Sequence, residues 1–333
     1  MLRFLFIVFL FTYSIAHGQD PRFSQYFTSP LTLNPALTAN IDGTIRLAAL
    51  YRNQWRQLGF PYNTGTISAD ARLLMNKINE SNRFGIGAMF MYDESFASRY
   101  KINYAAVSTA YHQSINYEGT STLGIGIQAV YSSQRVNFSK LNFANQFTNG
   151  GFDNSLPTGE SFQNDLKPFF DVNAGLLFNH RSENYSFYLG GSAYNISSPV
   201  QSLAGNIESE LPSRYLIHGG GNFNLNNESS SILCSFSAMR QAGVNDINLG
   251  AAYGFSISGS SSFNYLYVGG FYRLSKAAYP YVSLQTGDYQ IGLSYDIELF
   301  DLAKVNSNIG SFELSFSYTR PDNREMKRLI PWY

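Results

Sequence analysis

The stretch STLGIGIQAVYSS at 121–133 puts Leu123, Ile125, Ile127, Ala129 and Tyr131 on one side and Thr122, Gly124, Gly126 and Gln128 on the other. A period of two belongs to a β-strand, since a helix would repeat its apolar residues every three or four positions. The pattern returns at Tyr289, Ile291, Leu293 and Tyr295 against Gln290, Gly292, Ser294 and Asp296. It returns again at Phe312, Leu314, Phe316 and Tyr318 against Ser311, Glu313, Ser315 and Ser317. Segments of about ten residues, apolar on one face and small or polar on the other, match strands that cross a bilayer at a tilt and close into a barrel. A soluble β-sandwich also alternates, but it rarely needs so many strands of that length.

The chain holds 24 Tyr and 27 Phe with only 14% charged residues. No apolar run after the first eighteen positions approaches the ~20 residues of a spanning helix, so a helical membrane protein is excluded. Candidate strands begin near 43, 62, 84, 99, 121, 168, 184, 212, 230, 244, 262, 278, 288 and 311. That is an even set of fourteen, as bacterial barrels require. With the N-terminus on the periplasmic side, the long connections at 52–61, 135–167, 197–211 and 298–310 all leave from the outer end. Tight turns such as RSEN at 181–184 and TGD at 286–288 lie at the other. The expected fold is therefore an all-β transmembrane antiparallel barrel of about fourteen strands.

The beginning of the chain sets its compartment. Arg3, an apolar run from Phe4 to Ala16 and the small residues of Ala16-His17-Gly18 read as a signal peptide over 1–18, cleaved near Gly18. The expected organisation continues with an N-terminal segment over 19–40, a barrel over 41–320 and a C-terminal tail over 321–333. Cys234 is the only cysteine, so no internal disulfide forms and no lipid anchor at the cleavage point is indicated. Removing Arg3 from 23 basic residues leaves 22 against 23 acidic ones. A nearly neutral chain has no field with which to attract nucleic acid.

Chemistry-bearing patterns are sparse. His112, His180 and His218 stand far apart with no ligand spacing, and no phosphate loop ends in Lys-Ser/Thr. The glycines of GIGAMF (85–90) and GGGNF (219–223) read as positions where aromatic neighbours pack against a strand. No catalytic residue, cofactor or metal is expected. Asp296, Glu298 and Glu313 fall on the polar phase of the last two strands and are expected in the lumen, with Lys101 and Arg135 in earlier strands.

Before the first strand runs DPRFSQYFTSPLTLNPALTA (20–39). Pro21, Pro30 and Pro35 each lack a ladder donor, so this segment is expected to be extended, neither helix nor central strand. It is long enough to enter the lumen as a plug or strap. Asp20, Arg22, Phe23, Tyr26, Phe27, Asn34 and Pro35 are its candidate contact residues, with Asp20 and Arg22 turned toward the periplasm.

This stretch, with YRNQW (Tyr51, Arg52, Asn53, Gln54 and Trp55), FFDVNAGLLF (169–178), FYLGGSAYNISSP (187–199), LPSRYLIHGGG (211–221) and YQIGLSYDIELFDLA (289–303), resembles the PorP/SprF family of outer-membrane proteins in the type IX secretion and gliding machinery of Bacteroidota. The resemblance implies a non-enzymatic barrel in outer-membrane lipid. Its implied partners are the C-terminal domain of a secreted, adhesin-like cargo protein and a periplasmic, peptidoglycan-linked component of the secretion system. From a different class, a diffusion channel or hydrophobic-substrate transporter fits the same strand pattern.

Overall fold

The computed structural model describes residues 20–322 apart from 57–58, 80, 96–98, 160–166, 203–207, 226–229, 258–263, 276 and 300–309. The expected leader, most of the expected tail and most of the expected connection at 298–310 lie outside the described residues.

Fourteen strands form one closed antiparallel barrel. In chain order they are β1 (Gly43–Gln54), β2 (Tyr62–Leu73), β3 (Arg83–Ser95), β4 (Tyr100–Ser114), β5 (Ser121–Val136), β6 (Phe169–Arg181) and β7 (Tyr185–Tyr194). They continue as β8 (Arg214–Leu225), β9 (Ser230–Gln241), β10 (Val244–Ser256), β11 (Asn264–Arg273), β12 (Ala277–Thr286), β13 (Tyr289–Glu298) and β14 (Gly310–Pro321). Each starts within two residues of its expected position. Pairing of β1 with β14, from Ile45 opposite Arg320 to Gln54 opposite Ser311, removes the open edges. Two short ribbons, 147–148 with 151–152 and 200–202 with 208–210, decorate the long connections.

Burial runs opposite to that of a soluble domain. Along β13 the exposed residues are Tyr289, Ile291, Leu293, Tyr295 and Ile297, while Gln290, Gly292, Ser294, Asp296 and Glu298 are buried. β5 and β14 follow the same rule, with Gly124, Gly126 and Gln128 or Ser311, Glu313 and Ser315 inside. An apolar exterior around a polar interior is a surface built for hydrocarbon rather than water.

The polar interior is filled by residues 20–42. The expectation of an extended segment is corrected here: it forms helical turns at Tyr26–Thr28, Pro30–Leu33 and Pro35–Leu37. Pro30 and Pro35 sit at the first helical position, where the missing N–H is no loss and the fixed φ suits the turn. The Asn34 side chain caps the last turn by accepting the Ala36 N–H at 2.8 Å. Phe27, Leu33 and Leu37 pack with inward Leu177, Tyr188, Tyr267, Phe271 and Tyr281, a core between plug and wall.

Exposure along β13 yields a test. Arginine at mid-strand Leu293 should destabilise the inserted barrel by ~2–4 kcal/mol, whereas at terminal Tyr289 the cost should be ~0–1 kcal/mol. Urea unfolding in vesicles would measure both, and equal costs would contradict a lipid-facing wall.

Candidate functional site

The segment crosses the lumen from end to end. At the end bearing the long connections, the Asp20 N–H donates to Gln241, and its carboxylate accepts from Asn195 and pairs with Arg214. Beside it Arg22 pairs with Asp246 at 3.1 Å. At the short-turn end, Asn40 meets Asn179, and Asp42 pairs with Arg181. Asp20 and Arg22 therefore do not face the periplasm as expected. They lie at the opposite mouth, because the chain must descend the lumen to reach the start of β1.

One buried network fixes the upper half. Glu313 accepts the backbone N–H groups of Ser24 and Gln25, both at 2.6 Å. Arg52 donates to Glu313 Oε1 at 2.7 Å and to Asp296 Oδ2 at 3.0 Å, and also reaches the Ser24 and Ser311 hydroxyls. Arg273 adds a bond to Ser24 Oγ at 2.7 Å. The Gln25 amide completes the set with Ser294 and Ser315. Glu298, also buried, lies at the strand end beyond this network.

Below it the contacts become apolar and then polar again. Phe23 is buried with Leu31, Leu50, Met89, Ile102 and Val130. The Tyr26 hydroxyl bonds Ser235 at 2.7 Å. The Phe27 ring stacks on Phe271 at 5.0 Å and meets Tyr281 edge-on. Asn34 donates to the Leu176 carbonyl at 2.9 Å and bonds His218 Nε2. A second clamp closes the lower end: Asp70 accepts the Ala39 N–H at 2.6 Å and both Nε and Nη2 of Arg46, whose Nη2 also reaches the Leu37 carbonyl. Ala39 is held there at φ 55°, in the left-handed region.

Inward glycines make the room. A Cβ on Gly126 would lie 2.4 Å from the backbone of Pro35 and Ala36, and one on Gly175 would lie 1.8 Å from Asn34 Oδ1. On Gly85 it would meet Ala39 at 2.0 Å, and on Gly87 it would meet Leu31 at 3.0 Å. The GIGAMF glycines thus admit the plug, not an aromatic neighbour. Those of GGGNF do pack against aromatics, Gly219 with Phe236 and Gly220 with Tyr188.

Of YRNQW, only Arg52 reaches the segment. Tyr51 and Asn53 both bond Asn63, Gln54 pairs in the ladder with Ser311 and Tyr62, and Trp55 stacks edge-on with Tyr62. Lys101 and Arg135, expected in the lumen, oppose each other on the outward phase at the upper ends of β4 and β5, where Lys101 pairs with Glu94. Arg46, Asp70, Arg273 and the inward glycines were missed by sequence reasoning. For Arg46 and Asp70 the signal was present as charges on the inward phase of β1 and β2. Among the described residues, no group of His, Cys, Asp and Glu could hold a metal ion.

A closed barrel, apolar outside and filled by its own N-terminal segment, defines a membrane protein of the outer-membrane β-barrel class. The chain belongs to the PorP/SprF family, type IX secretion system membrane proteins, whose family model matches residues 15–318. No curated protein matches the sequence. Among solved structures, the Ralstonia pickettii toluene transporter TbuX is similar at 10% identity over 89% of this chain and 94% of its own, with a TM-score of 0.50. The Pseudomonas putida toluene transporter TodX gives 10% identity, 87% and 92% coverage and a TM-score of 0.49. At these identities the likeness concerns the fold.

Two substitutions test the seat. Gly126→Val should expel Pro35, so that residues 30–40 become cleavable by protease while the heat-modifiable barrel band persists. Arg52→Met takes the ion-pair partner from buried Glu313 and leaves buried Asp296 with the more distant Arg273, and should cost ~3–5 kcal/mol in urea unfolding. Full protection of 30–40 in the first variant, or native stability in the second, would contradict the geometry.

Proposed function

We propose that this barrel is a non-enzymatic platform of type IX secretion that holds the C-terminal domain of a secreted or surface-displayed cargo at its long-connection face. Its short-turn face contacts periplasmic, peptidoglycan-linked machinery. The observation that carries this reading is the filled lumen: Phe23, Phe27, Leu31 and Leu37 are buried against the wall and the chain is clamped at both ends. With its interior occupied, a secretion-family barrel has its rims to offer to partners. The long connections support this, since the ribbon at 147–152 presents Phe147 and Phe152 to solvent with rings 5.1 Å apart. Exposed aromatics on loops are characteristic of contact surfaces.

A diffusion channel or hydrophobic-substrate transporter is the competing reading, favoured only by fold likeness to a protein described as a toluene transporter. Such a channel needs a path past residues 23–41, which are packed and hydrogen-bonded along their length.

Deletion of residues 21–36 behind the intact leader separates these readings. Barrel insertion, vesicle permeability and cargo display are measured independently, and the wild-type barrel is isolated from envelopes by affinity tag. Wild-type protein should leave vesicles tight and bring down a large secreted protein, and replacing residues 147–152 by a Gly-Ser linker should abolish that capture. Uptake of a hydrophobic solute by wild-type vesicles, without cargo capture, would favour the transporter.

A further inference from the structure

The lipid-facing wall is uneven. On β9 to β14 most outward positions are large, among them Phe236, Leu249, Tyr253, Leu284 and Phe316, with one small row at Cys234, Ala251 and Gly270. On β2 to β5 small residues gather between the larger Ile86, Val107 and Ile127: Ala69 and Ala71 on β2, Ala88 on β3, Thr109 on β4 and Ala129 on β5. These positions are cross-strand neighbours. Ala71, Ile86, Thr109 and Ile127 form one row, and Ala69, Ala88, Val107 and Ala129 form the next. The result is an apolar depression of ≈ 710 Å³. A second, of ≈ 380 Å³, lies on the next two rows around Ala49 and Gly65, where the Tyr92 ring covers Gly65 and Phe90 forms a side.

Four rows two residues apart cover ~20 Å along a strand. At a tilt of about 40° that is ~15 Å of depth, one leaflet of a ~30 Å hydrocarbon core. The trough starts at the short-turn end, where Ile45 lies directly opposite Arg320 on the same outward face. Lys77, in the turn joining β2 to β3, is exposed at that end, and Arg320 is exposed too. Of the carboxylates at that end, Asp42 and Asp322 pair with Arg181 and Arg72, and Asp288 lies beside Thr319, whose N–H its carbonyl accepts. An apolar slot one leaflet deep with cations at its periplasmic end is complementary to a lipid with an anionic head.

We propose that this trough seats one phospholipid of the periplasmic leaflet, its acyl chain lying along the small residues and its phosphate held by Lys77 and Arg320. Close approach of hydrocarbon to backbone is what small side chains at a membrane interface permit.

The test is lipid counting by native mass spectrometry and solvent extraction on protein taken from envelopes in mild detergent. About one phospholipid per chain should survive washing, and Lys77→Glu and Arg320→Glu should each weaken retention by roughly fivefold, the value of one cation near anionic lipid. Ala88→Phe with Ala129→Phe should empty the slot, while Leu249→Phe on the opposite wall changes nothing. The charge variants sit in a turn and at a strand end, so they report even if a filled wall fails to insert. Unchanged retention in the charge variants would overturn the proposal. So would a filled slot that releases a co-purifying membrane protein instead of lipid, which would make the trough a protein interface.

Discussion

Arg52 meets Asp296 and Glu313 around the backbone of Ser24 and Gln25, and the occupied state of the lumen depends on that meeting. Three charged side chains from β1, β13 and β14 could not be buried together inside a barrel without further hydrogen bonds to satisfy them. The plug supplies these as two N–H donors and a hydroxyl. Charge-assisted bonds from backbone N–H to carboxylate are among the stronger ones available to a chain. The same residues also span the β1–β14 seam, so the network joins the first strand to the last where the cylinder closes.

The wall is shaped for this occupant as much as for the bilayer. Over most of the wall, outward residues need only be apolar. Inward residues are constrained individually: Gly126 and Gly175 for the turn at Asn34–Pro35, Gly85 for Ala39, and Asp70 for the N–H of a residue in left-handed backbone. A diffusion pore would ask only that its lining be polar. Here polar and empty positions follow the outline of one particular segment.

The strands were legible because alternation is local: a residue's side of the wall is fixed by its position in the strand, whatever lies across the lumen. Asp296 and Glu313 were legible as inward charges for the same reason, but Arg52 stood out only as part of YRNQW. Its partner role depends on strands more than 240 residues away in the chain. The glycines of GIGAMF were misread because the atoms that need their space belong to residues 31 and 39, which nothing local reveals. The helical turns at Pro30 and Pro35 were missed because proline excludes a helix interior yet suits its first position. Lys101 and Arg135 were misread as inward, although they lie at the upper ends of their strands on the outward phase.

That Asp20 lies at one mouth and Gly43 at the other has a consequence for how the molecule is made. Ser24 and Glu313 are 289 positions apart, yet they touch inside a closed cylinder. Chains rarely thread a free end through a finished ring. An end carrying Phe23, Tyr26 and Phe27 would have to pass glycine-sized gaps. The natural order is for the sheet to curl around the segment and for β1 and β14 to zip last. The occupant then acts as a mandrel, and the Arg52 cluster forms as the seam closes over it. A chain whose end arrives late would close empty, with its inward carboxylates facing water instead of backbone.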